Sequence, residues 1–178
     1  RPPMNPPAFN LAEDLARAAR LWPDSPAVAR GTTIVHSYAA LATRASMLAG
    51  AMRDGGLHEG DRVAIVSHNV VEYIETMYAC WWAGLVAVPV NAKLHPQELA
   101  YILDDCGARW VYVDRAWISA IPVVANVSRV IEFGAHDYRG IVSGAPLPAP
   151  AATDRHAPAW LFYTSGTTGR PKGVVLTH

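Results

Sequence analysis

Between residues 60 and 114 the sequence alternates two patterns that only a sheet covered on both faces satisfies together. "DRVAIVS" (61–67), "LVAVPVN" (85–91) and "ARWVYVD" (108–114) are short runs rich in apolar β-branched and aromatic residues. A strand with one wet face would alternate apolar and polar residues, whereas a continuous apolar run belongs to a strand buried on both faces. Between these runs stand "NVVEYIETMYACWWAG" (69–84) and "HPQELAYILDDCG" (95–107), which read as helices. Asn69 is the expected cap of the first, with Glu72 three residues on and Gly84 at its end. Pro96 opens the second and Gly107 closes it. Strand–helix–strand units of this spacing predict an α/β fold, a mostly parallel sheet with helices on both faces.

The flanking sequence extends this pattern. "NLAEDLARAARLWPDSP" (10–26) reads as an amphipathic helix, capped by Asn10 with Glu13 completing a capping box and stopped at Pro23. "AVARGTTIVHS" (27–37) reads as a hairpin turning at Gly31. In "SYAALATRASMLAGAMRDGG" (37–56) Ser37 is the cap, Leu41, Ala45, Leu48 and Met52 share one helical face, and Gly55–Gly56 end the helix. A short helix is expected near Trp117–Ala120 and a strand at "RVIEF" (129–133).

Residues 1–3 are set aside as a remnant before Met4, and 4–133 are taken as one α/β subdomain. Residues 134–158, rich in Pro, Ala and Gly, are expected to be a surface linker. Residues 159–178 read as a strand, a glycine-rich loop and a returning strand, truncated at His178.

Charge and cysteine usage narrow the function classes. Lys plus Arg and Asp plus Glu number 15 each, so there is no basic excess to hold a nucleic-acid backbone. Cys80 and Cys106 form no CxxC pair, and the seven histidines show no metal-ligand spacing, so no metal site is assigned. The longest apolar stretch, from Tyr78, is too short to span a bilayer and holds Gly84 and Pro89. No basic-then-apolar leader precedes the first helix. A cytoplasmic protein with reduced thiols is expected.

The chemistry concentrates in "YTSGTTGRPKG" (163–173). Gly166, Gly169 and Gly173 free the backbone to turn its N–H groups inward. Thr164, Ser165, Thr167 and Thr168 add hydroxyl donors, Lys172 adds a cation, and Pro171 stiffens the approach to it. These are the parts of a phosphate-binding loop at the end of a buried strand, where open α/β sheets place their ligands. It is not a Walker A loop, since Pro171 precedes the lysine and Gly173 follows it. "VVLTH" is β-branched and apolar, so the loop returns into a strand and has no helix dipole to help it.

With those residues in view, "YTSGTTGRPKGVVLTH" (163–178) closely resembles the signature of the AMP-forming adenylating superfamily. That superfamily includes acyl- and aryl-CoA synthetases, peptide-synthetase adenylation domains and luciferases. Residues 70–114, "GDRVAIVSHN" (60–69) and 32–52 resemble the region upstream of that signature in CoA ligases. The resemblance spans almost the whole chain but only the first third or so of a typical member. It implies the first subdomain of an adenylating-enzyme N-terminal domain. It also implies that Thr164, Ser165, Gly166, Thr167, Thr168 and Gly169 contact the β- and γ-phosphates of ATP and that Lys172 neutralises them.

The implied activity is activation of a carboxylic acid as an acyl-adenylate and its transfer to coenzyme A, with ATP, Mg2+ and coenzyme A serving the parent protein. The adenine and ribose contacts, the acidic magnesium ligand, the acyl pocket and the lid lysine of the family lie downstream of this signature. This chain is therefore expected to be an N-terminal fragment, inactive alone, that self-associates through an uncovered sheet edge. The alternatives are a non-catalytic nucleotide-binding or interaction module, and an adenylation domain that loads a carrier protein. A dinucleotide-dependent oxidoreductase is set aside, because "VSHNVVEY" has no GxGxxG at the first strand–helix turn. His178, Trp81–Trp82 and Asp104–Asp105 are read as structural or solvated. His68 stands at a strand end where pockets form.

Overall fold

The computed structural model describes residues 9–164 and 170–178. A six-stranded sheet runs β6 (Arg129–Glu132), β5 (Ala108–Val113), β3 (Arg62–Val66), β4 (Val86–Val90), β7 (Pro158–Thr164), β8 (Lys172–Thr177). All neighbours are parallel except β7 and β8, which form an antiparallel ribbon at one edge. A separate hairpin joins β1 (Pro26–Arg30) to β2 (Thr33–Ser37) and turns at Gly31, whose φ is 60°. The expected α/β architecture is the one observed.

The continuous apolar strands are divided residue by residue between two cores. Val63 and Ile65 of β3 face α1 (Leu11–Leu21), α2 (Tyr38–Asp54) and α3 (Val71–Trp82). Ala64 and Val66 face α4 (Pro96–Asp105) and Trp117. Successive side chains of a strand point to opposite faces, so both parities must be apolar when both faces are covered. Leu41, Ala45, Leu48 and Met52 of α2 are all buried, as their spacing predicts. Ser37 caps that helix by accepting the Ala40 N–H.

Four local expectations are corrected. Asn69 does not cap α3. The helix begins at Val71 after Val70 in an extended conformation (φ −116°, ψ 164°), with no side-chain cap. Asp114 accepts both the His68 backbone N–H and the His68 ring, and this holds the turn extended past Asn69. At α1, Asn10 accepts the Ala12 N–H as a cap should, but the reciprocal Glu13 contact is not formed. The Asn10 amide instead donates to the Trp81 and Ala151 carbonyls from a fully buried position. Residues 115–120 are hydrogen-bonded turns and no helix, since Ile121 precedes Pro122 and is turned away from helical geometry. The Trp117 indole, donating to the Ala92 carbonyl at 3.0 Å, anchors the segment.

The fourth correction concerns residues 134–158, which are strapped to the core. They contain a short helix, α5 (His136–Ile141), with Tyr138 and Ile141 buried. Leu147 donates its N–H to Ser46 and Ala151 donates to Trp82, while the Trp82 indole donates to the Leu147 carbonyl. Composition flags the prolines but not these backbone partners. Against this strap lies Gly50 of α2, where an added Cβ would overlap the Ala145 carbonyl oxygen. Gly50→Ala is therefore expected to destabilise the fold by about 1–3 kcal/mol through overpacking, read as a lowered melting temperature. An unchanged melting temperature would show that the strap yields.

Inside the helical face sits one buried charge. Glu75 of α3 is 1% exposed and accepts from Arg44 (Nε 2.6 Å, Nη2 2.9 Å), from the Tyr138 hydroxyl (2.6 Å) and from the His36 ring (2.7 Å). One carboxylate thus ties β2, α2, α3 and α5 together.

Candidate functional site

The parallel strands β3, β4 and β7 end on the same side of the sheet, and a cleft of about 410 Å³ opens there. Ser67, His68, Asn69, Asn91, Lys93 and Tyr163 stand on its walls. A smaller pocket of about 190 Å³ lies between the end of β4, α4 and the β7–β8 ribbon, reaching Thr164 and Pro171. Pro89, Val90, Asn91 and Tyr163 line both. Ligands of open α/β sheets bind outside the carboxyl ends of the strands, because the connecting loops leave a crevice there.

The ribbon positions the two ends of the glycine-rich loop. Thr164 closes β7, Lys172 opens β8, and the two are directly opposed in the antiparallel ladder. Opposed residues project from the same face, so the hydroxyl and the ammonium group leave the ribbon on one side. The strand after the loop, expected from "VVLTH", is observed as β8. Ser165, Gly166, Thr167, Thr168 and Gly169 lie outside the described residues.

At the cleft wall His68 and Asp114 form a pair, with Nδ1 of the ring 2.6 Å from the carboxylate. Burial would lift the Asp114 carboxyl, but hydrogen bonds from the His68 N–H, the His68 ring and the Ala116 N–H outweigh it and hold that group below its ordinary value. A carboxylate on Nδ1 orients the imidazole and leaves Nε2 to the solvent side. Sequence reading placed His68 at a strand end but missed Asp114. Its position at the end of "VYVD", the neighbouring parallel strand, is the signal that finds it.

The other residues weighed in the sequence have structural employment. His178 accepts the Leu11 N–H on Nδ1 at 3.2 Å, which satisfies one free donor of the first turn of α1, and burial lowers its pKa. Trp81 and Trp82 are buried, and their indoles donate to the carbonyls of Ala159 and Leu147. Asp105 does more than face solvent, since it accepts from Tyr163 of β7. Among the described residues no group of three or more His, Cys, Asp or Glu side chains converges as a metal site. Among the same residues no helix is long and apolar enough to cross a membrane.

Known proteins share both the sequence and this arrangement. The family model described as AMP-binding enzyme matches residues 15–178. A feruloyl-CoA synthase of Amycolatopsis sp is 37% identical over 162 residues, covering 91% of this chain and 32% of that protein. The fatty acid–[acyl-carrier-protein] ligase ScoC of Streptomyces coeruleorubidus is 32% identical, covering 98% of this chain and 34% of its own. Among solved structures, the inhibitor-bound N-terminal domain of FACL13 from Mycobacterium tuberculosis superimposes with a TM-score of 0.85 at 30% identity, over 95% of this chain and 44% of that one. This chain thus spans about a third of the length of the curated relatives it matches. Its own share of the match is nearly complete, and the chain belongs to the family of AMP-binding enzymes.

Proposed function

We propose that this chain is the N-terminal part of an ATP-dependent ligase that activates a carboxylic acid as an acyl-adenylate and passes the acyl group to coenzyme A. The observation that carries this reading is the β7–β8 ribbon, with Thr164 opposed to Lys172 beside the cleft at the carboxyl ends of the sheet. The residues present suit a polyphosphate: a cation and a hydroxyl leave the ribbon on one face, at the two ends of a loop sequence rich in glycine and hydroxyls.

In this reading the nucleotide supplies an electrophilic α-phosphorus, to which a carboxylate oxygen bonds as the bond to pyrophosphate breaks. The substrate carboxylate is already a nucleophile, so the protein has to position it and balance the charge of the leaving group. Backbone N–H groups and hydroxyls of Thr164, Ser165, Gly166, Thr167, Thr168 and Gly169 would bind the β- and γ-phosphates. Lys172 would neutralise the charge that develops on pyrophosphate. Magnesium would reach the site on the phosphates of the nucleotide.

The test is a panel of carboxylic acids with ATP, Mg2+ and coenzyme A, on a protein that carries this chain at the length of its relatives. Release of AMP and pyrophosphate with thioester formation supports the proposal, and ADP with phosphate, or no nucleotide turnover, overturns it. The 178-residue chain alone should show no pyrophosphate exchange. A carrier-protein thiol is the second acceptor considered, on the likeness to ScoC. Its test replaces coenzyme A by a phosphopantetheinylated carrier protein.

Two smaller proposals accompany this one. A cytoplasmic location fits the two buried free thiols, Cys80 and Cys106. Self-association of the 178-residue chain is supported by β8, which lies at the sheet edge among the described strands and exposes Val174, Val175 and Leu176. Sedimentation velocity should show a mass above 19.2 kDa, and a single monomeric boundary at high concentration would refute this.

A further inference from the structure

Two side chains of α4, which take no part in the chemistry above, reach the strand ends on either side of residues 165–169. Before that stretch, the Tyr163 hydroxyl donates to Asp105 Oδ2 at 2.6 Å. Tyr101, one turn earlier on α4, donates to Asp105 Oδ1 through a longer bond of 3.4 Å. After the stretch, the guanidinium carbon of Arg170 lies 5.6 Å from the centre of the Tyr101 ring, within cation–π range. Tyr101 and Asp105 are four residues apart on a helix and share one face. The entry and exit of the glycine-rich stretch are therefore tied to a single turn of α4.

The tie has a firm base on both sides. Helix α4 is fixed by a capping box between His95 and Glu98, and it buries Leu99, Ile102 and Leu103. On the ribbon side, Gly173 faces Tyr163 in the ladder. A Cβ at 173 would stand 3.2 Å from Tyr163 Cζ and 3.3 Å from its hydroxyl oxygen, so the ring lies close over the β8 backbone. Burial, then the bond to Asp105, raises the Tyr163 pKa well above the ordinary tyrosine range, which keeps its hydroxyl a donor.

A cradle of backbone N–H groups binds tightly when its shape is set before the ligand arrives, because ordering a loose segment uses up binding free energy. We propose that Tyr101 and Asp105 are positioning residues that hold Tyr163 and Arg170 in place and so set the affinity of the loop between them for phosphate. This rests on the reading of that loop as the polyphosphate site.

The test is calorimetric titration of the chain with inorganic tripolyphosphate and Mg2+. Lys172→Ala tests the underlying reading: it should weaken binding, and equal binding by wild type and Lys172→Ala would reject the site. Tyr163→Phe and Asp105→Asn test the tie. Each should weaken binding by about three- to tenfold, the double variant no more than the weaker-binding single, since both act on one hydrogen bond: Tyr163→Phe removes its donor and Asp105→Asn strips its acceptor of charge. Tyr101→Leu should weaken binding, while Tyr101→Phe, which keeps the ring under Arg170, should bind within about twofold of wild type. Amide hydrogen exchange supplies a readout independent of ligand: Asp105→Asn should speed exchange at residues 163–170 and leave β3 and β4 unchanged. Wild-type affinity together with unchanged exchange in Tyr163→Phe and Asp105→Asn overturns the proposal.

Discussion

Replacing Glu75 by alanine is expected to cost about 3 kcal/mol, which lowers the melting temperature of a chain this size by about 6–12 °C. The side chain is 1% exposed and is the shared acceptor for Arg44, Tyr138 and His36. Its removal leaves a buried tyrosine hydroxyl and a guanidinium group without their partner. A buried donor left unpaired carries its full desolvation penalty, whereas the net gain from making such a bond is only about 1 kcal/mol. The cost stays at about the lower limit for a broken buried pair, because the Arg44 side chain is 32% exposed and recovers water.

The same residue sets a direction for pH. Burial pushes the Glu75 carboxyl up, but the hydrogen bonds from Arg44, Tyr138 and His36 outweigh it and hold the pKa below the ordinary value near 4.5. A carboxyl whose folded pKa is depressed contributes its full stability above the unfolded value and loses it as pH falls through the folded one. Glu75→Gln should therefore be markedly less stable than wild type at neutral pH, and the gap should narrow below about pH 4.5. Melting curves at neutral and acid pH decide it: a gap that widens on acidification would show that the carboxyl is raised.

The second large effect is expected at Lys172. Lys172→Ala should lower kcat/KM for ATP about a hundredfold in a protein of the relatives' length, the scale for one charge-stabilising group at a leaving anion. Lys172 is exposed at the start of β8, so the melting temperature should hold and the loss should be functional. The KM for the carboxylic acid should change little. Lys172→Arg should recover part of the activity, because it restores the charge but presents a planar fork in place of a compact ammonium. An ATP dependence within about twofold of wild type would remove Lys172 from phosphate binding.

How far the residues announce their own structure differs from element to element. The strands at 62–66, 86–90 and 108–113 were legible because burial on both faces leaves no polar parity, a property of the residues themselves. The cap at Ser37 and the helix start at Pro96 were legible because they serve the backbone of their own helix. Asn69 was misread for the complementary reason. Its role depended on where Asp114 would hold His68, 46 residues away in the chain. Residues 134–158 were misread because proline-rich composition is common to linkers and to straps. Only the packing of Tyr138 and of the backbone at Ala145 and Leu147 against α2 and α3 separates the two.

The site divides in the same way. The loop's residue types and the lysine that follows them are local facts, and so is the apolar strand on either side. That Thr164 and Lys172 stand opposite each other is decided by the register of β7 on β8. That Tyr163, Asp105, Tyr101 and Arg170 form one connected group is decided by the packing of α4 beside the ribbon. The sequence by itself determined what is encoded in short-range periodicity and turn chemistry: an α/β fold, the strand ends, and a glycine- and hydroxyl-rich stretch followed by a lysine. The tertiary structure alone decided the buried Glu75 cluster, the His68–Asp114 pair and the anchoring of the loop's flanks. Those contacts join residues brought near each other by chain folding, and no local pattern carries their distances.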